Sequence, residues 1–131
     1  MDNTDKKYLK LNDIEAYKIA FNLSNYIWAV VIKWNNFESI TIGSQFTRAA
    51  DSISANIAEG FGKYYLKDMV RHYRISRGST LETLDWNEKA RKRELIDEKE
   101  YKYILNVLQD LPKEINQLVK FTKGSMKKAI I

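Results

Sequence analysis

One histidine, His72, and no cysteine leave this 131-residue chain few ways to do covalent or metal chemistry. Disulfides, thiolate metal sites and cysteine nucleophiles are excluded. A metal centre inside a helical bundle needs Glu-x-x-His pairs on two helices and further carboxylates, but the residue three before His72 is Met69. Serines are plentiful, yet one histidine on a face that reads as exposed gives them no positioned base. Asp68, one turn earlier, is the expected hydrogen-bond partner of His72. The glycines of "FGKY" and "SRGST" follow no strand and resemble no phosphate loop. The expectation is no catalytic residue, no metal, no cofactor and no small-molecule substrate.

Charge offers more. Lys63, Lys67, Arg71 and Arg74 step by 4, 4 and 3, and Lys89 and Lys92 continue that side of a helix with Arg91 and Arg93 beside them. With a net charge of +5 and a pI near 9.3, such a stripe can track a phosphate backbone, with affinity that falls as salt rises. The competing reading is a solvated face, because Glu82 and Asp85 interrupt the stripe and Asp85–Lys89 is an ordinary i,i+4 pair. No recognition helix after a tight turn, zinc finger or aromatic sheet motif is visible, so binding would read backbone or shape and not bases.

A second polar set, Gln45, Arg48, Ser52, Asn56 and Glu59, steps by 3, 4, 4 and 3 along one flank of a helix. Polar residues beside an apolar seam fix helix register. Arg77 is the expected partner of Glu59; burial would make that pair a device for specificity more than for stability.

Four amphipathic segments carry these residues. The first opens at Asn12, with Glu15 as its capping-box partner, and carries Ile14, Tyr17, Phe21, Ser24, Trp28 and Val31 on one side. Its second half, "YIWAVVIKW", is apolar all round except for Lys33, which predicts burial on every side. The second starts near Thr41–Ser44; Ile42, Phe46, Ala49, Ala50, Ile53, Ile57 and Phe61 share one face, and Gly60 and Gly62 mark its end. The third runs from about Tyr65 to Arg93, with Leu66, Met69, Val70, Tyr73, Thr80, Leu81 and Leu84 expected inside and Arg77 unexpectedly among them. The fourth opens at Asp97 with Glu100, and Pro112 predicts a kink or break near Asp110–Leu111. Short connections between four such helices predict an all-α, antiparallel up-down-up-down four-helix bundle. It forms a single domain over residues 1–131, with a core at about 12–121 and a basic tail at 122–131 that is expected to fray. No apolar run reaches membrane-span length and "MDNTDKKYLKLNDIE" has no apolar export core, so a cytoplasmic protein without a membrane partner is expected.

Three faces lack a solvent surface. Between Thr41 and Gly62 only Arg48, Asp51 and Glu59 are charged, far fewer than a chain that is 30% charged would place there. The first helix is apolar from Tyr26 to Trp34. The third carries a second stripe, His72, Ser76, Ser79, Thr83, Trp86 and Ala90, away from its expected core side. A lone bundle buries one stripe per helix, so self-association into a closed symmetric assembly is expected. Arg48, Ser52, Asn56, Glu59, Arg77 and Trp86 are the expected seam residues.

"QFTRAADSISANIAEGFGK", followed by "YRISRGSTLETL", resembles the signature of the four-helix-bundle proteins encoded in intervening sequences of bacterial 23S ribosomal RNA genes. The matching positions are Arg48, Ala49, Ala50, Ser52, Ile53, Asn56, Ile57, Ala58, Glu59 and Gly60, then Gly78, Ser79, Leu81 and Glu82. "LNDIEAYKIA" is similar to the family's first helix, with Tyr17 where a tryptophan is common. The resemblance covers roughly residues 8 to 121; Pro112 and Thr80 depart from it. It implies an antiparallel bundle in a homopentameric ring and no known enzymatic activity. It also implies kinship with accessory proteins of diversity-generating retroelements, which bind a reverse transcriptase and nucleic acid. Two functions follow: a non-enzymatic homo-oligomer that binds RNA or DNA through the third-helix stripe, or an oligomeric scaffold for a protein partner such as a nucleic-acid-processing enzyme.

Overall fold

The computed structural model describes residues 10–130, and their side chains as far as residue 125. Most of the N-terminal stretch that bears on export lies outside the described residues. Four long helices form: α1 (Glu15–Val31), α2 (Ser44–Phe61), α3 (Leu66–Lys92) and α4 (Glu98–Ile130). No strand occurs among the described residues. Contacts run in opposite directions along two of the packed pairs. From α2 to α3 they pass Ser52–Ser79, Ile53–Ser76 and Asn56–His72; from α1 to α4 they pass Tyr26–Tyr103 and Ala16–Leu118. One apolar core unites all four helices around the fully buried Leu23, Ile27, Phe46, Ile53, Ile57, Tyr73, Ile104, Leu108, Leu111 and Ile115. Each such side chain contributes about 1.5–3 kcal/mol by leaving water.

The ends of the helices follow local chemistry. Asp97 and Glu100 form the expected reciprocal cap: the Asp97 N–H donates to Glu100 Oε1 at 3.0 Å and the Glu100 N–H to Asp97 Oδ1 at 2.7 Å. The Asn12–Glu15 cap does not form. A 3₁₀ turn, Leu11–Asp13, occupies that place, closed by the Lys10 N–H on Asp13 Oδ2 at 2.9 Å, and α1 starts after it. Helix α3 ends in a Schellman turn, with the Leu95 N–H on the Ala90 carbonyl and Glu94 at φ 59° in the left-handed position.

Four other expectations are corrected. Helical structure leading into α2 begins earlier, with an α turn at Asn36–Glu38 and a π turn at Ser39–Gly43 that hydropathy does not reveal. The second half of α1 is not covered on every side: Ile27, Val30 and Val31 are buried, but Trp28 and Ile32 are more than half exposed. Pro112 does not break α4, because its neighbours Leu111 and Ile115 stay locked in the core and hold the helix through it. The segment beyond residue 121, read as a tail, continues α4 as helical backbone to Ile130.

The buried side of α3 is the largest correction. Val70, Tyr73 and Thr80 are buried as expected, with Met69 and Leu84 packed against the core, but the buried side also takes in Asn87 and His72, Ser76, Thr83 and Ala90 of the stripe expected to face away from it. Leu81 and Arg77, expected inside, are exposed. Small side chains win the inner position because α2 and α3 approach closely. A Cβ on Gly60 would lie 2.7 Å from Tyr73 Cε1 and 3.0 Å from both His72 Cβ and the Met69 carbonyl oxygen. The serine and threonine hydroxyls buried there are satisfied: Ser76 Oγ donates to the Ile53 carbonyl at 2.7 Å, and Thr80 and Thr83 bond back to Ser76 and Ser79.

Candidate nucleic-acid interface

The first half of α3 presents the basic stripe. Lys63 lies in the turn before it, its N–H on the Gly60 carbonyl, and Lys67, Arg71 and Arg74 project from the first three turns into solvent. Because α4 runs antiparallel beside α3, its far end adds a second basic edge. Lys67, Arg71, Arg74 and Lys123 border a groove floored by Leu66, Val70 and Ile75. The adjoining depression continues along Arg74, Arg77, Lys120 and Lys123 over Ile115 and Val119. No carboxylate lines either depression, and none of these six cations enters a salt bridge among the described residues.

Sequence reasoning misses Lys120, Lys123 and the true position of Arg77. The first two fall in or beside a segment that reads as tail, and Arg77 falls on the wrong side of α3. A usable signal is present, since Asn116, Val119, Lys120 and Lys123 recur at a helical spacing that carries past the expected boundary at residue 121. Lys89 and Lys92 lie on the same helix but far from the groove. Lys89 is bound to Asp85 Oδ2 at 2.5 Å and lies 4.5 Å from the Trp86 ring centroid; Trp86 in turn donates to Glu82 Oε2 at 3.2 Å.

The polar flank of α2 divides in two. Ser52, Asn56 and Glu59 meet α3: Ser52 Oγ lies 2.8 Å from Ser79 Oγ, and Asn56 Nδ2 donates to the Ser52 carbonyl and hydroxyl oxygens at 2.9 Å. Arg48 is exposed and takes no part. Glu59 pairs with His72, not Arg77, its Oε2 3.4 Å from His72 Nδ1. His72 itself is buried, not exposed, and its hydrogen-bond partners are Asn56 and Arg71, not Asp68. Asn56 Oδ1 lies 3.3 Å from Nδ1, and the Arg71 guanidinium donates to Nε2 at 3.4 Å. An imidazole with its proton on Nδ1 satisfies all three contacts, donating to α2 and accepting from Arg71. Arg71, in the middle of the groove edge, is therefore tied to the α2–α3 seam.

This is a four-helix bundle with a cationic groove and no grouping of His, Asp and Glu that could hold a metal among the described residues. No described helix is long and apolar enough to cross a membrane. A family model, 23S rRNA-intervening sequence protein, matches residues 12–117, and the chain belongs to that family. It is also similar to a crystal structure from Bacteroides thetaiotaomicron VPI-5482, a protein of unknown function from the S23 ribosomal protein family. The TM-score is 0.74 at 22% identity, over 80% of this chain and 95% of that one, so the two share the fold. No curated protein matches the sequence.

Proposed function

We propose that the chain is a non-enzymatic, self-associating bundle that binds RNA or another nucleic acid through the α3–α4 groove without base-specific readout. One observation carries this reading: six cations from two helices converge on a depression that no carboxylate lines. Uncompensated like charges repel, and a polyanion relieves that repulsion while releasing its own counterions. Lys63 extends the edge beyond Lys67; Lys89 and Lys92 lie outside it. The test is the triple charge reversal Lys67→Glu, Arg71→Glu and Arg74→Glu. Retention of RNA should fall steeply and lose much of its salt dependence; unchanged retention would remove the proposal.

Self-association has its own support. Phe21, Trp28 and Ile32 on α1, with Phe37 and Ile40 just after it, are 48–74% exposed. Large apolar side chains left exposed along one stretch of chain mark a protein contact, and a second copy of the chain is the partner we assign to it; the homopentameric ring is the assembly that the family resemblance implies. Ser52, Asn56 and Glu59 serve the chain's own α2–α3 contact, the register role expected of a polar flank. The same apolar face favours the second reading, a scaffold for a nucleic-acid-processing enzyme. Mass measurement in solution for wild type and Trp28→Glu/Ile32→Glu separates them: self-association predicts an oligomer that the double substitution dissociates.

A further inference from the structure

Immediately before the groove in sequence stand two aromatic rings that the fold leaves unused. Tyr64 and Tyr65, in the turn leading to α3, are 83% and 66% exposed. Their ring centroids are 5.1 Å apart with planes at 84°, an edge-to-face pair. Burial explains neither ring, and such large apolar faces in water carry a cost that a partner removes. Lys63 precedes them, and Leu66 and Lys67, which follow, open the groove.

We propose that the groove takes an unpaired stretch of nucleic acid, with bases stacked on Tyr64 and Tyr65 and phosphates held by Lys67, Arg71, Arg74 and Lys123. The inference rests on the reading of the groove as a nucleic-acid site and specifies what enters it. A duplex turns its bases inward and offers the protein phosphates and sugars, so it would use the cations and leave the aromatic faces idle. A single strand offers both chemistries at once: a charged backbone for a basic groove and π-faces for aromatic side chains. The apolar floor of Leu66, Val70 and Ile75 fits the same ligand, since exposed base faces and sugars can lie on it. Perpendicular rings also turn successive stacked bases away from one another, a geometry that continuous A-form pairing forbids. Stacking of this kind is sequence-tolerant, because every base has a π-face.

Fluorescence anisotropy on the full chain tests it with three probes of equal phosphate number. These are a mixed-sequence RNA strand, the blunt duplex, and an abasic strand of the same backbone. Wild type should prefer the intact strand over the other two by about tenfold, the scale of one or two stacked bases. Tyr64→Ala/Tyr65→Ala should remove that preference and keep the salt slope, whereas Tyr64→Phe/Tyr65→Phe, which keeps the π-faces, should retain it. Both residues are exposed, so helical content serves as the check that the variants fold. Equal affinity of wild type for all three probes, or an alanine pair that binds the strand as wild type does, overturns the inference and leaves a phosphate track. If no probe binds even at low salt, the underlying nucleic-acid reading fails, and the inference with it.

Discussion

Lys67 and Lys89 lie on the same side of α3, six turns and about 33 Å apart, in opposite electrostatic surroundings. Around Lys67 the antiparallel α4 brings further cations, Lys120 and Lys123, and no acid. Around Lys89 two cations, Lys89 itself and Arg91, are answered. Asp85 holds Lys89, the Arg91 guanidinium lies 4.3 Å from the Tyr101 ring centroid and 3.9 Å from Glu98, and the Tyr101 hydroxyl donates to Glu88. The difference teaches that a basic stripe in a sequence is not yet a basic surface. One end of this helix has charge to give a ligand, while the other has committed it to the closing turn of the bundle.

Moving the charge reversal from one end to the other tests that contrast most severely. Lys67→Glu/Arg71→Glu/Arg74→Glu should weaken RNA binding by about a hundredfold or more and flatten the salt slope by about 2, at roughly 0.7 for each phosphate no longer neutralised. Lys89→Glu/Arg91→Glu/Lys92→Glu should change affinity severalfold at most and instead lower the unfolding free energy by about 1 kcal/mol. Filter retention across a salt series and chemical denaturation read the two outcomes.

Gly60→Ala acts at the groove end through packing. Its methyl group would meet Tyr73 and the α3 backbone at 3.0 Å or less, so a destabilisation of about 1–3 kcal/mol is expected in thermal melts. At the paired end, Tyr101→Phe should cost about 1 kcal/mol at neutral pH. The hydrogen bond to Glu88, aided by burial, raises the Tyr101 pKa above its ordinary 10.0. Its stabilising contribution is therefore full below pH 10 and lost as pH rises through the folded value. Wild type should lose stability on that alkaline limb more steeply than the phenylalanine variant, measured by melts at stepped pH. Gly78→Ala should have the smallest effect and the opposite sign. No atom lies within 4 Å of the missing Cβ, so helix propensity alone predicts a gain of about 0.5–1 kcal/mol.

Helix existence is legible in the sequence because apolar spacing near 3.6 is clear in all four segments. The buried residues of α2 follow the same signal, with Phe46, Ile53 and Ile57 inside as expected, and in α4 the buried Ile104, Leu108, Leu111 and Ile115 recur at the same helical spacing. Hydropathy finds only part of the α3 core, Val70, Tyr73 and Thr80, because it scores Ser76 and Thr83 as solvent-facing. In a close helix contact their small size and satisfied hydroxyls make them better core residues than Leu81. The groove is half legible for a related reason. Lys67, Arg71 and Arg74 share one helix and can be counted along it, whereas Lys120 and Lys123 join them only through the antiparallel return of α4. His72 shows the same limit: its burial and its ties to Asn56, Glu59 and Arg71 depend on how two helices are turned.

Pro112 has no N–H to give the Leu108 carbonyl, so the backbone ladder of α4 lacks one rung midway along an otherwise continuous helix. In hydrogen–deuterium exchange that gap is a boundary. Amides before it are sealed by Tyr101, Ile104 and Leu108 in the core, and those after it can open as a separate unit. The later unit carries Lys120 and Lys123, one wall of the groove. Exchange in residues 113–125 should therefore run ahead of 101–111 and slow when a polyanion fills the groove, which makes deuterium uptake in this half-helix a clock for occupancy.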